Sequence, residues 1–546
     1  MNPLSLQLQL LPRASRPFTA TAPWKPTGLA GARTVVQRPK QLSSSASAAV
    51  AREAARANEA PSPPATSEER FDWLDQWYPI APVGELDPRA PHGKTVLGLS
   101  VVAWYDRGAG QWRVFEDACP HRLAQLSEGR VDGEGRLQCA YHGWCFDGAG
   151  ACSFIPQAPA LGPPVHKNSR ACVASYPSVV QNQVLWFYPR TEPEFKDVLQ
   201  RKRPPFFDEL DDPSYFAVFG MRDFPYGYDI MIENLIDPAH VPYTHRGMMP
   251  SFPNEEDPGR VEHDREGGDP VKIKIEQANI DGFLSRMKRG NIQFEAPCAL
   301  HGTNPRKLLL GVRSSTIHIG IEQTLMVQNV DGEVEPWFMF VIFCVPVSPG
   351  RSRLIWLFPR NGGVWLHRIT PRWYSHMFTN LIFDSDLYLL HIQERKLAAA
   401  GLDNWHQPCY VPTSSDGMTV AFRNWFRKYC KSQIVWAKPQ ARHDHQLPPI
   451  QTKDKIMDRY WSHVVQCRSC SAALKAMGVL EVALQVASVA AIGFLAVAKG
   501  TTTLAASVVH RAATAAVAVL CFVASRWLAG FIEKNFHFQD YVRAYK

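Results

Sequence analysis

Acidic residues are absent from the first 52 positions of this 546-residue chain, although these positions contain seven Lys and Arg residues. When they are left out, the formal net charge falls from +8 to +1, so the remaining chain has no basic excess of the kind that binds nucleic acid. Cysteine is scarce as well. A content of 12 cysteines in 546 residues is too low for a small disulfide-stabilised scaffold. Charged residues make up only 20% of the chain, below the ~25% of an ordinary globular protein, which indicates contact with a membrane.

The N-terminal segment 1–66 has the composition of an organelle transit peptide. Besides its basic start, it contains a Ser/Ala tract at 43–49 and a Pro-rich stretch at 61–64. A secretory signal would need an unbroken apolar core, whereas Leu4–Leu11 is interrupted by Ser and Gln. We therefore predict a disordered transit peptide over 1–66, and a basic tail without a targeting role is the alternative.

Two long apolar segments lie near the C-terminus, Val482–Ala498 and Ala512–Ile532. Their lengths are close to the about 20 residues that a helix needs to cross the hydrocarbon core of a bilayer. Arg526 is near enough to the end of its segment for its charge to reach the interface. We predict a two-helix membrane anchor over 476–533, which places the preceding chain and the tail 534–546 on one side. A buried or interfacial helical hairpin is the alternative.

Cys119 and His121 form one potential ligand pair, and Cys139 and His142 form a second pair after 17 intervening residues. Two thiolates and two imidazoles of this kind hold a Rieske [2Fe–2S] cluster, in which the cysteines bind one iron and the histidines the other. A structural zinc site is the alternative, but zinc fingers pair Cys with Cys and His with His, whereas each pair here is mixed. The spacing therefore predicts a Rieske cluster.

The segments around these pairs have the composition of short strands. Thr95–Trp104 and Gln111–Phe115 are rich in Val, Trp and Phe and flank the turn Asp106–Gly110, which is the pattern of a β-hairpin. Short strand-like segments with Gly and Pro between them continue to Tyr188. We predict a small all-β domain over 67–195 that carries the cluster.

His240 and His245 form a second potential metal site. On a regular helix, two rings five residues apart would point about 140° apart, but Pro238 and Pro242 break such a helix and allow the rings to converge. Two histidines and one carboxylate on one face of the ion form the non-haem Fe(II) oxygenase site. We predict a mononuclear iron centre at these histidines.

The carboxylate ligand must come from another segment. A helical pattern runs from Thr370 towards Gly401 and contains two aspartates that point about 200° apart, Asp384 and Asp386. Asp386 shares its stripe with apolar residues on the inward side, so we choose it as the third ligand and predict that Asp384 is solvated. We interpret His391, in the same helix, as a core residue.

Three longer strings, at 119–124, 233–242 and 459–470, resemble the plant and algal branch of Rieske non-haem iron oxygenases that contains pheophorbide a oxygenase. The resemblance implies an α+β fold with three parts. A Rieske β-domain is followed by a helix-grip catalytic domain with an antiparallel sheet over 196–445, and a C-terminal transmembrane helical hairpin comes last.

The resemblance also implies the cofactors, partners and assembly. It implies a [2Fe–2S] Rieske cluster, mononuclear Fe(II), reduced ferredoxin as electron donor and O₂ as the oxidant. It further implies homotrimers in which Asp237 bridges His142 of a neighbouring subunit to the iron ligand His240, a role that suits a hydrogen-bonded carboxylate. Capping of the turn before Pro238 is the alternative role for Asp237.

The activity that the resemblance implies is oxygenolytic opening of the chlorin macrocycle of pheophorbide a in chlorophyll breakdown. We expect the protein in a chloroplast membrane, inner envelope or thylakoid, with the catalytic part facing the stroma. One alternative is a tetrapyrrole side-chain oxygenase or hydroxylase similar to protochlorophyllide a oxygenase. Another is a redox-sensing Rieske subunit of the inner-envelope protein translocon.

Cys467 and Cys470 form a Cys-x-x-Cys pair in the predicted linker 446–475. In a reducing compartment we expect free thiols rather than a permanent disulfide. A thioredoxin-sensitive redox dithiol is one interpretation, in which Arg468 would favour the reactive thiolate. A structural pair near the membrane is the other.

Overall fold

A computed structural model describes most of the chain after the predicted transit peptide. The described residues are 69–245, 248, 271–287, 290–303, 339–361, 364–401, 405–437, 447–497 and 504–541. The predicted transit peptide 1–66 and the last residues of the predicted tail lie outside them.

The first part of the described chain is the predicted all-β domain, built from three small antiparallel sheets. The predicted hairpin is confirmed, because two of its strands pair from Val101↔Glu116 to Asp106↔Gln111. The strands are β1 Tyr78–Pro82, β2 His92–Val96, β3 Leu99–Asp106, β4 Gln111–Glu116, β5 Arg130–Val131, β6 Leu137–Gln138, β7 Cys145–Phe146, β8 Cys152–Phe154, β9 Ser175–Tyr176, β10 Ser178–Gln181 and β11 Val184–Phe187.

The second part contains a seven-stranded antiparallel sheet in the order β12-β18-β17-β16-β15-β14-β13. Strands β17 and β18 are the longest and form a hairpin whose turn needs Gly350, which has a φ of +67°. The strands are β12 Phe216–Phe224, β13 Lys274–Asn279, β14 Gly282–Met287, β15 Gly290–Glu295, β16 Ala299–Thr303, β17 Met339–Ser348 and β18 Arg351–Arg360.

Helices pack against this sheet and continue into the C-terminal part. The longest helix of the catalytic domain contacts the sheet where Trp356 meets the rings of His376 and Phe383, at centroid distances of 5.7 and 5.3 Å. The α-helices are α1 Val198–Arg201, α2 Tyr228–Ile236, α3 Val241–Thr244, α4 Val364–Ile369, α5 Arg372–Ala400, α6 Gly417–Cys430, α7 Lys453–Ile456, α8 Arg459–Ser462, α9 Arg468–Val497 and α10 Leu504–Ile532. The predicted α+β class, with a Rieske-type β-domain ahead of an antiparallel sheet, is confirmed.

Helices α9 and α10 are long and apolar enough to cross a membrane, each with a mean hydropathy of 2.0 over its most apolar window. Only 6% and 17% of those windows is buried, so these are not core helices of a soluble domain. The Ser488 hydroxyl donates to the Ala518 carbonyl at 2.8 Å and joins the two helices. Helix α9 begins at Arg468, so the predicted anchor boundary at 476 falls inside it.

Residues 447–475, the described part of the predicted linker 446–475, are instead part of the folded domain. Met457, Arg459 and His463 are completely buried in it. Arg459 donates to a carboxylate of α5 and to the carbonyl of Lys534 beyond α10, at 2.5 and 2.9 Å. The interpretation as a linker relied on local composition, which does not contain these long-range contacts.

Asp384 is not the solvated charge that we predicted. It is buried between two arginines, with Arg222 at 2.7 Å and Arg459 at 2.5 Å. A buried carboxylate is tolerated when it is paired in this way, and removal of one partner leaves a costly unpaired charge. The prediction for His391 is confirmed, because its ring is buried and lies 2.6 Å from the carbonyl of Pro225.

Candidate metal centres

The two ligand pairs of the β-domain lie in two loops with the same backbone design. In the first loop Leu123 donates its N–H to the carbonyl of Cys119 at 2.8 Å, and in the second Gly143 does the same to Cys139 at 3.1 Å. Both donors have a positive φ, 60° and 72°, which turns the chain back sharply after each cysteine. The residues that follow each cysteine therefore determine the shape of its loop without contacts from distant parts of the chain.

These loops bring the predicted cluster ligands to one place. Cys119 and Cys139 are each 2% exposed, and the rings of His121 and His142 approach to 4.5 Å between centroids. Trp144 stacks on His121 at 4.7 Å and holds its plane. The Nδ1 atom of His121 is buried and has no hydrogen-bond partner among the described residues. An orphaned imidazole nitrogen in a close pair of rings, together with two buried thiols in the same two loops, fits the donor set of a Rieske cluster.

The second site brings together the other three predicted ligands. Ligand atoms of His240, His245 and Asp386 all lie within 4.8 Å of one another. Nε2 of His245 is 3.6 Å from a carboxylate oxygen of Asp386, and the two imidazole centroids are 5.2 Å apart. Two imidazoles and one carboxylate converging from one side fit the donor set of non-haem iron.

The local chain explains why the two imidazoles converge. Helix α2 ends at Ile236, before Pro238, and the next helix is the single turn α3. His240 precedes that turn and His245 follows it, so neither belongs to a long regular helix. Pro242 lies in the first turn of α3, where its missing N–H has no cost. It therefore starts a helix rather than breaking one.

Ser385 orients His245, and sequence reasoning missed this residue. The Ser385 hydroxyl donates to the carbonyl of Ile382 at 2.6 Å, so it accepts a hydrogen bond from Nδ1 of His245 at 2.7 Å. This places the proton on Nδ1 and leaves the Nε2 lone pair on the side of Asp386. A serine beside a predicted ligand carries no signal in the sequence, since it depends on how α5 meets α3.

Asp237 and Asn234 surround the other imidazole. A carboxylate oxygen of Asp237 lies 3.6 Å from Nδ1 of His240, and its other oxygen accepts the N–H of Ala239 at 2.8 Å. Asp237 therefore caps the turn and also faces the outer nitrogen of His240. The side-chain nitrogen of Asn234 is 3.3 Å from Nε2 of the same ring, and sequence reasoning missed this neighbour as well.

Comparison with known proteins agrees with these two sites. The Rieske [2Fe-2S] domain family matches residues 76–177, and the pheophorbide a oxygenase family matches residues 294–403. The chain is 43% identical to protochlorophyllide-dependent translocon component 52 of Arabidopsis thaliana over 89% of each chain. This chain belongs to the Rieske oxygenases of that chloroplast branch. The protein is thus a Rieske non-haem iron oxygenase with a Rieske cluster and a mononuclear iron as its cofactors.

Two further relatives show how varied the branch is. The Rieske oxygenase described here is 44% identical to flavonoid 8-hydroxylase 2 of Ocimum basilicum, over 88% of each chain. It is 32% identical to pheophorbide a oxygenase of Arabidopsis thaliana, over 87% of this chain and 84% of that one. Membership of the branch therefore establishes the type of chemistry and leaves the substrate open.

Buried charges hold helix α2 of this oxygenase in place. Arg423 of α6 contacts Glu233 at 2.5 Å and Asp229 at 2.9 Å. Burial raises the pKa of Glu233, and the charge of Arg423 opposes that rise. Glu394 of α5 accepts the N–H of Gly227 at 2.7 Å, and burial raises its pKa to about 7. These contacts fix the helix that leads into the iron site.

The Cys-x-x-Cys pair lies at the start of α9 and is separate from both sites. Cys467 and Cys470 are buried free thiols, and they lie beside two histidines that sequence reasoning did not select, His376 and His463. His463 stands only four residues before Cys467, which is a signal that the sequence offers. His376 lies in the first two turns of α5, far from the pair in the sequence, and offers none.

Proposed function

We propose that this oxygenase is a membrane-anchored monooxygenase that uses reduced ferredoxin and O₂ to oxygenate a chlorophyll-derived tetrapyrrole. The observation that carries the proposal is the convergence of His240, His245 and Asp386 at a site separate from the Rieske loops. This is the donor set of an O₂-activating iron, and it stands in a chain that also has a cluster domain.

Each residue has a role in this proposal. Cys119, Cys139, His121 and His142 hold the cluster, and His240, His245 and Asp386 hold the iron. The two groups supply electron transfer and O₂ activation when they are bound. Ser385 keeps the proton of His245 on Nδ1, so that its Nε2 remains a donor towards the metal.

The two centres are proposed to work across subunits of a homotrimer. Leu123 and Tyr141, next to the cluster histidines, are 76% and 63% exposed and form an apolar rim around them. In the proposed trimer this rim contacts the neighbouring subunit, and Asp237 links the neighbour's His142 to His240. The 3.6 Å approach of Asp237 to the outer nitrogen of His240 supports this role.

The sequence identities to the relatives bear on which oxygenation this chain catalyses. The identity to the relative whose name contains protochlorophyllide is 43%, compared with 32% to the pheophorbide a oxygenase of the same species. This favours oxygenation of a ring substituent over the macrocycle opening that we expected first. A flavonoid substrate is the second candidate, because a flavonoid 8-hydroxylase is 44% identical over nearly the same length. It comes after the tetrapyrrole because the family that matches residues 294–403 and several other relatives are named for chlorophyll derivatives.

The proposed location is a chloroplast membrane, inner envelope or thylakoid, with the catalytic domain in the stroma. Relatives named as chloroplastic and the two apolar helices support it. Two spans would put the catalytic domain and the C-terminal tail on the same side, where ferredoxin is present. An apolar, planar substrate would reach the enzyme through the bilayer.

The proposal is tested with the full chain in lipid nanodiscs, supplied with reduced ferredoxin and ¹⁸O₂. Protochlorophyllide a, pheophorbide a and a flavone are compared, with Asp386→Ala as the inactive control. We expect one ¹⁸O atom in the protochlorophyllide product and retention of its visible absorption. Loss of the visible absorption of pheophorbide a would establish ring opening instead. Turnover of the flavone alone would move the enzyme to the second candidate, and no turnover by iron-loaded protein would support the translocon sensor.

A further inference from the structure

Four metal-ligating side chains meet at the base of the predicted anchor, away from the iron site. Ligand atoms of His376, His463, Cys467 and Cys470 all lie within 4.8 Å of one another, and all four side chains are buried. We call these four side chains the dithiol–histidine cluster. It joins α5, the segment that follows α8, and the first turn of α9.

The distances in the cluster match a tetrahedral metal site. His376 Nδ1 is 3.4 Å from the sulfur of Cys467 and 3.4 Å from that of Cys470. His463 Nε2 is 3.3 Å from the sulfur of Cys470. Zinc bonds of about 2.3 Å to sulfur and about 2.0 Å to nitrogen, at tetrahedral angles, separate such atoms by about 3.5 Å. These three pairs of donors are therefore already close to the separation that a tetrahedral zinc ion requires.

Both imidazoles already present a lone pair to the sulfurs. Nε2 of His376 donates to the carbonyl of Phe219 at 2.9 Å, and Nδ1 of His463 donates to the carbonyl of Met221 at 2.7 Å. A carbonyl only accepts, so each outer nitrogen carries the proton and each inner nitrogen is free to bind a metal. Metal-bound histidines are oriented by this kind of outer hydrogen bond.

The backbone and the neighbouring charges also suit two thiolates around a cation. The N–H of Cys470 points at the sulfur of Cys467, at 3.4 Å. The buried carboxylate of Glu85 lies 3.6 Å from that same sulfur, and Arg372 is paired with this carboxylate at 2.9 Å. When both cysteines bind as thiolates, two thiolates and a carboxylate face one arginine, which leaves a surplus of negative charge in a buried place. A divalent cation would remove it.

We propose that His376, His463, Cys467 and Cys470 bind one structural zinc ion, which fastens the anchor helix α9 to the catalytic helix α5. Tetrahedral coordination by two sulfurs and two nitrogens suits zinc, and four protein ligands close the site to substrate. The ion would link the start of α9 to the same helix that carries Asp386. This site goes beyond the proposed oxygenase activity and assigns the Cys-x-x-Cys pair a structural role.

The burial of the pair argues against a redox switch. Cys467 and Cys470 are 1% and 3% exposed, and apolar side chains such as Val464 and Phe536 cover them. Reduction by thioredoxin requires its thiolate to reach one of the two sulfurs. A regulatory disulfide here would need the start of α9 to open first, whereas a metal requires only the geometry that is present.

The test uses the full chain in detergent, purified without added metal and without chelators. We expect about one zinc ion per chain, and zinc X-ray absorption that gives two sulfurs near 2.3 Å and two nitrogens near 2.0 Å. His463→Cys should keep the zinc and change its surroundings to three sulfurs and one nitrogen. That change assigns the ion to this cluster, because the iron site contains no sulfur ligand.

Matched variants separate this site from the oxygenase centres. The Cys467→Ser, Cys470→Ser double variant should hold at least about tenfold less zinc, while the Cys172→Ser, Cys409→Ser control keeps it. His245→Ala should lose mononuclear iron and keep zinc, so a failure of the proposed function would not imitate a failure here. A Cys467–Cys470 disulfide in freshly purified protein, iron in this site, or zinc surrounded only by nitrogen and oxygen would overturn the proposal.

Discussion

The iron site and the dithiol–histidine cluster are both built on helix α5, ten residues apart at Asp386 and His376, or about 15 Å along the helix. The iron site has three converging donors, and His240 among them is only partly buried. The cluster has four donors, and all are buried. Three donors leave positions for a reactant whereas four do not, so ligand number and burial distinguish a site for chemistry from a site for stability.

The groups behind the histidines differ in the same way. At the cluster, both outer nitrogens donate to backbone carbonyls, which carry no titratable charge. At the iron site, the outer nitrogen of His240 faces the carboxylate of Asp237, and that of His245 faces the hydroxyl of Ser385. Behind the histidines, side chains that can exchange protons or contact a partner are found at the iron site, whereas the histidines of the cluster face backbone carbonyls.

The largest expected effect comes from removal of the carboxylate ligand. Asp386→Ala should lose the mononuclear iron and reduce turnover by on the order of 10³-fold, because two imidazoles alone hold the ion weakly. The protein should keep the iron and sulfide of its cluster, with the electron paramagnetic resonance signal of a reduced Rieske centre. Metal analysis, that signal and product formation measure the three outcomes.

The control for this prediction is Asp384→Asn, two residues away. It breaks a buried ion pair and should lower the free energy of unfolding by about 3 kcal/mol, with iron retained in the folded fraction. If Asp384→Asn loses the iron while Asp386→Ala keeps it, the third ligand is assigned to the wrong aspartate.

The second prediction contrasts the roles of the two metals in stability. The Cys467→Ser, Cys470→Ser double variant should lower the midpoint of thermal unfolding by more than about 5 °C, because an ion bound only to the folded state stabilises that state. His245→Ala, which removes the catalytic iron, should shift it by less. Thermal unfolding of both variants in the same detergent measures the difference, and equal shifts would remove the distinction between the sites.

The third prediction concerns the carboxylate behind His240. Asp237→Asn should keep both metal centres but slow reoxidation of the reduced cluster by about 10- to 100-fold when substrate and O₂ are present. The amide retains the size of the side chain and loses its charge. Rapid mixing with detection of the cluster absorption measures this rate, and an unchanged rate would restrict Asp237 to capping its turn.

The smallest effect is expected for Ser385→Ala. This variant leaves every metal ligand in place and removes the hydroxyl that accepts from Nδ1 of His245, so the affinity for mononuclear iron should fall by about tenfold. Iron titration into metal-depleted protein measures it. Thr379→Ala is the matched control on the same helix, since its hydroxyl likewise donates to a backbone carbonyl, that of Ser375, and contacts no predicted ligand among the described residues. An equal loss there would show a general effect on α5.

The amino-acid sequence by itself predicted which side chains converge at the iron site, and it placed the proposed cluster ligands in two short loops. The cluster ligands lie in pairs within single loops, and His240 and His245 flank one helical turn, so short spacings specify their geometry. The choice of Asp386 as the third ligand followed from the helical periodicity of α5. The apolar length of α9 and α10 likewise needs no tertiary information.

Only the tertiary structure decided what surrounds these ligands. Asp384 is buried because Arg222 and Arg459 reach it from elements far away in the chain, and the predicted linker is folded for the same reason. In the sequence Cys467 and Cys470 form a simple pair. The fold places His376 beside them, although it precedes them by 91 and 94 residues in the chain. The spacing of residues in the sequence determines contacts within one turn or loop. Whether a buried charge finds a partner, or a four-ligand site is completed, depends on which distant elements pack together.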